Sequence, residues 1–154
     1  MENKVIFWLK QALVLFLIGA AAFPAAAGNY LIRNYTKMDG LPGGVVLGLC
    51  QDSSGFLWFA TERGLCRFDG VSFHTVTHPG LTEKFVWTVF QDRDKNIWAG
   101  LEANGPVCLP APGNPEPALP ETLKKTSVLG IAQDKNGGLW FATMNGIMKL
   151  HGSS

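Results

Sequence analysis

The stretch that decides the fold is VLGLCQDSSGFLWFAT at residues 46–61, because the chain contains two more versions of it. VWTVFQDRDKNIWAGL occupies residues 86–101, and VLGIAQDKNGGLWFAT occupies residues 128–143. In every copy a Gln-Asp pair follows a short apolar run, and a tryptophan stands six residues after the aspartate. The copies are spaced by 40 and then 42 residues, so the sequence consists of repeats of one structural unit.

Each copy has the features of a β-hairpin. Apolar side chains continue through both positions of a period-two pattern after the turn, so Trp58 and Phe59 lie on opposite faces of a strand. Asp52 can accept backbone N–H bonds across the turn, and Gly55 can take the positive φ that a tight hairpin needs. Strands that are apolar on both faces are expected in a sheet that lies between two other sheets.

A period of about 40 residues, built from short strands and glycine turns, is typical of a four-stranded β-propeller blade. In the first copy we expect an inner strand covered on both faces, then strands at 56–61, 65–70 and 71–77. We expect the tryptophans to pack between blades. The predicted structural positions of the repeat are Asp52, Gly55, Trp58, Asp92, Trp98, Asp134, Gly137 and Trp140.

The second and third copies depart from this pattern. Lys95 and Asn96 stand where the first copy has Gly55 and Phe56. The second copy continues into residues 105–120, whose six prolines favour a surface loop between blades over a regular pair of strands. The third copy reaches the end of the sequence before a fourth strand.

The first residues are typical of an export signal. Lys4 and Lys10 flank the start of an apolar run over 12–23, which is short for a membrane-spanning helix, and three alanines at 25–27 suit a signal peptidase. A retained membrane anchor is the alternative. Cleavage after Ala27 would place the mature chain in the periplasm or outside the cell.

The predicted fold class is all-β, a partial β-propeller of about three four-stranded blades preceded by a signal peptide. The expected organisation is a signal peptide at 1–27, a lead-in strand and turn at 28–44, blade 1 at 45–80, blade 2 with the proline-rich loop at 81–122, and an incomplete blade 3 at 123–154.

Charge and cysteine content limit the possible partners. With 13 basic and 12 acidic residues, the chain offers no electrostatic support for nucleic-acid binding. Three cysteines, Cys50, Cys66 and Cys108, cannot all pair within one chain. Cys50 and Cys66 could form one disulfide in an oxidising compartment, although both lie in apolar strand-like runs that are typical of a small buried hydrophobe. No spacing indicates zinc, and no cofactor or metal is expected.

The segment QDSSGFLWFATERGLCRFDG, residues 51–70, resembles the two-component regulator propeller repeats. These repeats occur in the extracytoplasmic sensor regions of bacterial hybrid histidine kinases and of some diguanylate cyclases. YTKMDGLP at 35–42 is similar to the lead-in of such regions, and the resemblance covers about residues 35–150.

The resemblance implies a ligand-sensing segment without catalytic activity of its own. Family members carry many repeats, a membrane span and an output domain such as a kinase or cyclase. The chain is therefore expected to be the N-terminal part of a longer protein or the product of a truncated gene. Residues 30–36 would then pair as the outer strand of a final blade that this chain lacks.

No catalytic residues are predicted, since His74, His78 and His151 share no spacing with one another or with scattered glutamates. Trp87 is the candidate ligand contact, because the other copies have leucine at its position. The expected ligand is a small molecule or glycan, and exposed blade edges could self-associate. A membrane would be reached only through a parent protein or an uncleaved signal. A propeller hydrolase or lyase acting on glycans and a protein-interaction scaffold are the alternatives.

Overall fold

A computed structural model describes residues 30–150 of the chain. It divides into two compact units between Arg33 and Asn34, and every strand belongs to the second unit. The predicted signal peptide at 1–27 and His151 lie outside the described residues. Among the residues that are described, no helix is both long enough and apolar enough to cross a membrane.

The second unit consists of three antiparallel sheets, one for each copy of the repeat. The strands are β1 (Val46–Gln51), β2 (Leu57–Thr61), β3 (Gly64–Phe68), β4 (Phe73–Thr75), β5 (Val86–Gln91), β6 (Ile97–Leu101), β7 (Pro106–Leu109), β8 (Val128–Gln133), β9 (Leu139–Thr143) and β10 (Gly146–Leu150). Blade 1 has the order β1-β2-β3-β4, blade 2 the order β5-β6-β7, and blade 3 the order β8-β9-β10. A 3₁₀ helix at Lys37–Asp39 and α1 (Glu121–Lys124) are the helical segments of the described chain.

The three blades share one hairpin register. The tryptophan of the second strand lies opposite Cys50 in blade 1, Phe90 in blade 2 and Ala132 in blade 3. The pairing shifts near the start of each first strand, at the same place in all three copies. The first strand of each blade contacts the first strand of the next, so β1, β5 and β8 adjoin along one side of the unit. The predicted all-β fold class is confirmed.

Successive blades pack face to face. We call the face of a blade that turns toward the preceding blade its N-side face, and the opposite face its C-side face. One buried cluster joins blades 1 and 2 and contains Ala60, Leu65, Leu81, Val86, Val89, Ile97, Ala99 and Leu101. A second cluster joins blades 2 and 3 and contains Trp98, Cys108, Leu123, Val128, Leu139 and Phe141.

A leucine at the start of each repeat is buried, although it lies outside the strands. Leu81 and Leu123 belong to the two clusters between blades, and Leu41 is buried at the equivalent place before blade 1. The quoted repeat begins five residues downstream of each leucine and therefore missed them. Extending the register upstream by those five residues would have found all three.

The prediction of a loop without strands over 105–120 was wrong for its first part. Residues Pro106–Leu109 form β7, and Val107 and Cys108 lie opposite Ala99 and Trp98 of β6. Pro106 is the first residue of an edge strand, where the missing N–H removes no hydrogen bond from the sheet. The remaining prolines lie in the irregular segment at 110–120.

The prediction that the first strand of blade 1 is covered on both faces was also wrong. Val46 and Leu49 are 43% and 65% exposed, because no blade covers the N-side face of blade 1 within the described chain. Trp140 was expected to pack between blades, yet it is 39% exposed on the C-side face of blade 3. Residues 30–36 form no strand in the structure. Tyr35 instead packs edge-on against Phe73, with 5.4 Å between ring centroids.

Candidate functional site

The repeated aspartate holds the turn of each blade together. In blade 1, Asp52 Oδ1 accepts the backbone N–H groups of Ser54 at 2.8 Å and Phe56 at 3.0 Å. Its other oxygen, Oδ2, accepts the indole N–H of Trp58 at 2.8 Å. One carboxylate therefore closes the hairpin and fixes the orientation of the tryptophan ring. The expected backbone bonds are present, and the bond to the indole is an addition that the sequence analysis missed.

The same arrangement recurs in the other two blades. Asp92 Oδ2 accepts the indole N–H of Trp98 at 2.7 Å, and Asp134 Oδ2 accepts that of Trp140 at 2.9 Å. In blade 2, Asp92 Oδ1 accepts the backbone N–H of Asn96 at 2.8 Å, and Asp92 Oδ2 also accepts the side-chain amide of Asn96 at 2.9 Å. The constant spacing of six residues between aspartate and tryptophan is the sequence signal for this bond.

Two of these carboxylates, Asp52 and Asp134, are held in the ionised form. A hydrogen bond from the Lys149 ammonium at 2.8 Å, followed by the indole of Trp140, keeps the pKa of Asp134 well below its usual range. For Asp52, burial raises the pKa, but bonds from Trp58 and from the backbone outweigh it, so the net pKa is lowered. Both side chains therefore act as acceptors in the turn and hold no proton to donate at neutral pH.

The repeated glutamine links blade 2 to blade 1 and blade 3 to blade 2. Gln91 Oε1 accepts the backbone N–H of Ser53 in the turn of blade 1 at 2.7 Å. Gln133 Oε1 accepts the backbone N–H of Arg93 in the turn of blade 2 at 2.9 Å. The amide nitrogen of Gln133 donates to Gly137 O in its own turn at 3.0 Å. The sequence marked the glutamine as repeated, but only the placement of neighbouring blades reveals this role.

Trp87, the predicted ligand contact, lies on β5, one of the three adjoining first strands. Its ring is half-buried and packs against Phe85, with centroids 4.7 Å apart. The indole nitrogen is buried and makes no hydrogen bond to any described residue. An unpaired buried N–H is unfavourable for the fold, whereas the half-buried ring leaves part of its surface open to a ligand.

A groove of about 370 Å³ lies between blades 1 and 2 at their turns. Its lining includes Asp52, Phe56, Arg67 and Lys95. The Arg67 guanidinium lies over the Phe56 ring at 4.3 Å from the centroid, which orients the charge without neutralising it. With two cations and one carboxylate, the groove can hold a small polar ligand. The structure does not bring Trp87 into its lining.

The histidines are separate from one another. His74 Nε2 lies 2.8 Å from Asp69 Oδ2 on the exposed outer strand, and His78 Nδ1 accepts the N–H of Gly80 at 3.1 Å. Over residues 30–150, no group of three or more His, Cys, Asp or Glu side chains is placed to hold a metal ion.

The three cysteines are free thiols, so Cys50 and Cys66 form no disulfide. Cys66 and Cys108 are buried, and Cys50 is partly buried. Burial raises the pKa of the Cys66 thiol to about 11 and that of the Cys108 thiol to about 12, with Asp92 adding to the latter. Such thiols are poor nucleophiles near neutral pH, because little thiolate is present.

Repeated four- or three-stranded sheets, packed face to face with their first strands adjoining, define the class of β-propellers. The sequence profile of the family described as "Two component regulator propeller" matches residues 40–63, 80–103 and 122–145. The chain belongs to this repeat family, which confirms the resemblance carried by the Gln-Asp and tryptophan positions.

Known proteins with similar sequences or structures are much longer. The histidine kinase P4 of Formosa agariphila is 36% identical over 62 residues, which cover 40% of this chain and 4% of the kinase. The extracellular domain of a protein assigned to the hybrid two component systems of B. thetaiotaomicron superposes with a TM-score of 0.62 and 22% identity, covering 74% of this chain and 16% of that one.

The fold also occurs in an enzyme. Virginiamycin B lyase from Staphylococcus aureus, solved as a catalytically inactive variant with quinupristin, superposes with a TM-score of 0.54 and 20% identity. The superposition covers 79% of this chain and 42% of the lyase. At this identity the likeness concerns the fold alone.

Proposed function

We propose that the chain is an extracytoplasmic, ligand-sensing β-propeller segment of a bacterial two-component-type signal transduction protein. The observation that carries the proposal is the threefold repeat, with its aspartate–tryptophan bond and its match to the two-component regulator propeller family. The similar extracellular domain from B. thetaiotaomicron supports it.

The predicted export signal supports the extracytoplasmic location in this proposal. The apolar run at 12–23, with lysines at its start and alanines after it, would direct the chain out of the cytoplasm. A periplasmic or extracellular location agrees with the similarity to an extracellular domain. The low-charge composition of the chain gives no reason to expect a nucleic-acid partner in either location.

The proposed segment binds without catalysing a reaction. Each repeated aspartate is occupied by hydrogen bonds from its own turn and its own tryptophan. His74 contacts Asp69, and His78 accepts the backbone N–H of Gly80. Neither contact brings a histidine together with the other histidine. Any kinase or cyclase activity would belong to a separate output domain.

Trp87 is the proposed ligand contact, on the side of the unit where the first strands adjoin. A small molecule or glycan would stack on the exposed part of the half-buried ring. Leucine at the equivalent positions, Leu47 and Leu129, shows that the blade itself does not need an indole there.

Binding to a panel of oligosaccharides and small metabolites tests this function. Thermal shift should identify a ligand, and calorimetry should then show at least about tenfold weaker binding for Trp87→Leu, since the aromatic ring is lost. Trp87→Leu supplies the residue of the other copies, so the melting temperature without ligand should stay close to wild type. The matched control Phe85→Leu changes the neighbouring ring and leaves the Trp87 ring in place.

The same incubations separate the alternative functions. The lyase of the same fold makes an enzyme the second candidate, and it predicts new products in the mixture by mass spectrometry. Unchanged ligands that nevertheless stabilise the protein fit the sensor. A scaffold would capture a protein partner from culture supernatant and show no thermal shift with any small molecule. Product formation or exclusive protein binding would each contradict the proposed function.

A further inference from the structure

The groove between blades 1 and 2 has a cation on each of its two sides. Arg67 of β3 lines it from blade 1, and Lys95, in the turn between β5 and β6, lines it from blade 2. Within residues 30–150 neither of these side chains forms an ion pair. We propose that the groove binds a small organic carboxylate, at a site separate from the ligand contact proposed at Trp87.

Lys95 departs from the repeat in a way that is unfavourable for the turn itself. The other two blades have glycine at this place, Gly55 and Gly137, and all three residues have a positive φ. A residue with a Cβ is strained in that conformation, and strained residues of this kind cluster at functional sites. Ligand binding gives a reason for the lysine, because it is the cation that blade 2 contributes to the groove.

Asn96, the next residue, also departs from the repeat, and it holds one wall of the groove. Its side-chain oxygen accepts the backbone N–H of Ala111 at 3.0 Å and the side-chain amide of Asn114 at 2.8 Å. These bonds fix the segment at 110–112, which lines the groove beside Lys95. Phenylalanine and glycine stand at the equivalent positions of blades 1 and 3, and neither side chain could supply this acceptor. Both departures of the second copy therefore contribute to the same groove.

The two cations belong to one of the two junctions between blades. Arg67 lies opposite Trp58 in the sheet of blade 1, whereas the residue of β7 opposite the tryptophan of blade 2 is Cys108. In the turn, the junction of blades 2 and 3 has Gly137 in place of Lys95. Blades 2 and 3 pack together without either cation, so the packing of the repeat does not account for them.

The charged groups of the lining favour a carboxylate as the ligand. The Arg67 guanidinium lies over the Phe56 ring and can donate two parallel N–H bonds to one carboxylate. Lys95 adds a second positive charge. Among the described residues that line the groove, Asp52 is the one carboxylate, and both of its oxygens already accept bonds from its own turn and from Trp58. The lining therefore has one positive charge in excess, which a monocarboxylate balances.

Apolar side chains complete the lining and suit a ring attached to that carboxylate. They are Phe56, Ile97, Leu109, Pro110 and Pro112. The volume of about 370 Å³ lies near the lower end of the range for small-molecule pockets, which fits an acid with one or two rings. A sugar acid and an aromatic acid share this chemistry, since each joins a carboxylate to a ring.

Titration of the isotope-labelled full chain with two pairs of probes tests the proposal. Each pair contains a carboxylate and its neutral counterpart, namely glucuronate with glucose and phenylacetate with phenylacetamide. The Trp58 indole N–H signal in NMR spectra reports on the groove that Trp58 lines, and the Trp87 signal reports on the other site. At least one carboxylate should shift the Trp58 signal saturably, and its neutral counterpart should bind at least about tenfold more weakly. The pair that binds identifies the ligand body as a sugar or an aromatic ring.

Charge variants assign the binding to the two cations. Lys95→Gly and Arg67→Gln should each weaken carboxylate binding at least about tenfold, because each removes one cation from the lining. Lys95→Gly supplies the residue of the other blades and relieves the strained turn, so a loss of binding would not result from unfolding. Lys135→Gly and Arg63→Gln are the matched controls, since they remove the same charges outside the lining and should bind as wild type does.

Three results would overturn the proposal. These are carboxylates that leave the Trp58 signal unchanged, neutral counterparts that bind equally well, and control variants that weaken binding as much as Lys95→Gly. A carboxylate that shifts the Trp87 signal alone gives the first of these results and supports the contact proposed at Trp87, so the two proposals can fail separately.

Discussion

In blade 2 the repeated aspartate accepts three hydrogen bonds with a single side chain. Asp92 is buried, and its two oxygens accept bonds from the Asn96 backbone, the Asn96 amide and the Trp98 indole. Trp98 in turn packs against Phe141 of the next blade, with centroids 5.8 Å apart. A turn carboxylate is thereby connected to the packing between blades through one indole ring.

Removing this carboxylate should destabilise the whole unit. We expect Asp92→Ala to lower the free energy of unfolding by about 3 kcal/mol, because three donors, including the buried indole of Trp98, lose their acceptor. Urea unfolding followed by tryptophan fluorescence measures the change. Asp94→Ala alters an exposed carboxylate in the same turn and should change stability by less than about 0.5 kcal/mol. Equal effects of the two substitutions would contradict the role given to Asp92.

Acid should weaken the turn of blade 3 through Asp134. Its pKa is lowered by Lys149 and by Trp140, so the ionised form stabilises the folded state at pH values above the unfolded pKa of about 3.9. This contribution is lost as the pH falls toward the lowered folded pKa. Asp134→Asn should therefore have a lower melting temperature than wild type at pH 7, with a difference that shrinks below about pH 5. A difference that is constant across this range would show that the ionised form does not matter.

Lys95 is a residue in a conformation that glycine adopts in the other blades. Its φ is +65°, while Gly55 and Gly137 have φ of +91° and +88° at the equivalent place. We expect Lys95→Gly to raise the free energy of unfolding by about 1 kcal/mol, since a left-handed backbone is strained for residues with a Cβ. Thermal unfolding of both variants measures the change. Lys135→Gly in the turn of blade 3, where φ is not positive, should not raise the free energy of unfolding.

At the scale of the strands, the sequence predicts the repeated hairpin well and the outer strands less well. The turn and second strand recur in three copies, so their pattern was visible without any tertiary information. Strand β7 forms because it pairs with β6, whereas the prolines in and after it had predicted a loop. The glutamine bonds join residues about 40 positions apart, and only the packing of two blades brings them together. The exposure of Leu49 and Trp140 likewise follows from which blades have a neighbour.

Close approach of blades 2 and 3 requires a glycine in β6. A Cβ on Gly100 would lie 2.6 Å from Val128 O and 2.7 Å from Thr88 Cγ2. Gly100→Ala should therefore lower the free energy of unfolding by about 2 kcal/mol, because backbone must move apart.

Gly130→Ala is the control for this substitution. The Cβ added at Gly130 would meet only Ala142 Cβ, at the ordinary distance of 3.6 Å. This substitution should leave the urea midpoint nearly unchanged. A Gly100→Ala variant as stable as Gly130→Ala would mean that the two blades can separate freely.

At the scale of the whole molecule, stability depends on how many blade faces are covered. Each internal face is covered by a buried cluster, while within residues 30–150 no second blade packs on the N-side face of blade 1 or on the C-side face of blade 3.

The glutamine bond also has an evolutionary consequence. Each repeat brings a side-chain acceptor for the turn before it and a turn N–H for the glutamine after it. A duplication of one 40- or 42-codon unit therefore inserts a blade whose two sides match its new neighbours without any compensating mutation. Gene lineages can gain or lose such units by unequal recombination, while the chemistry that joins them stays the same.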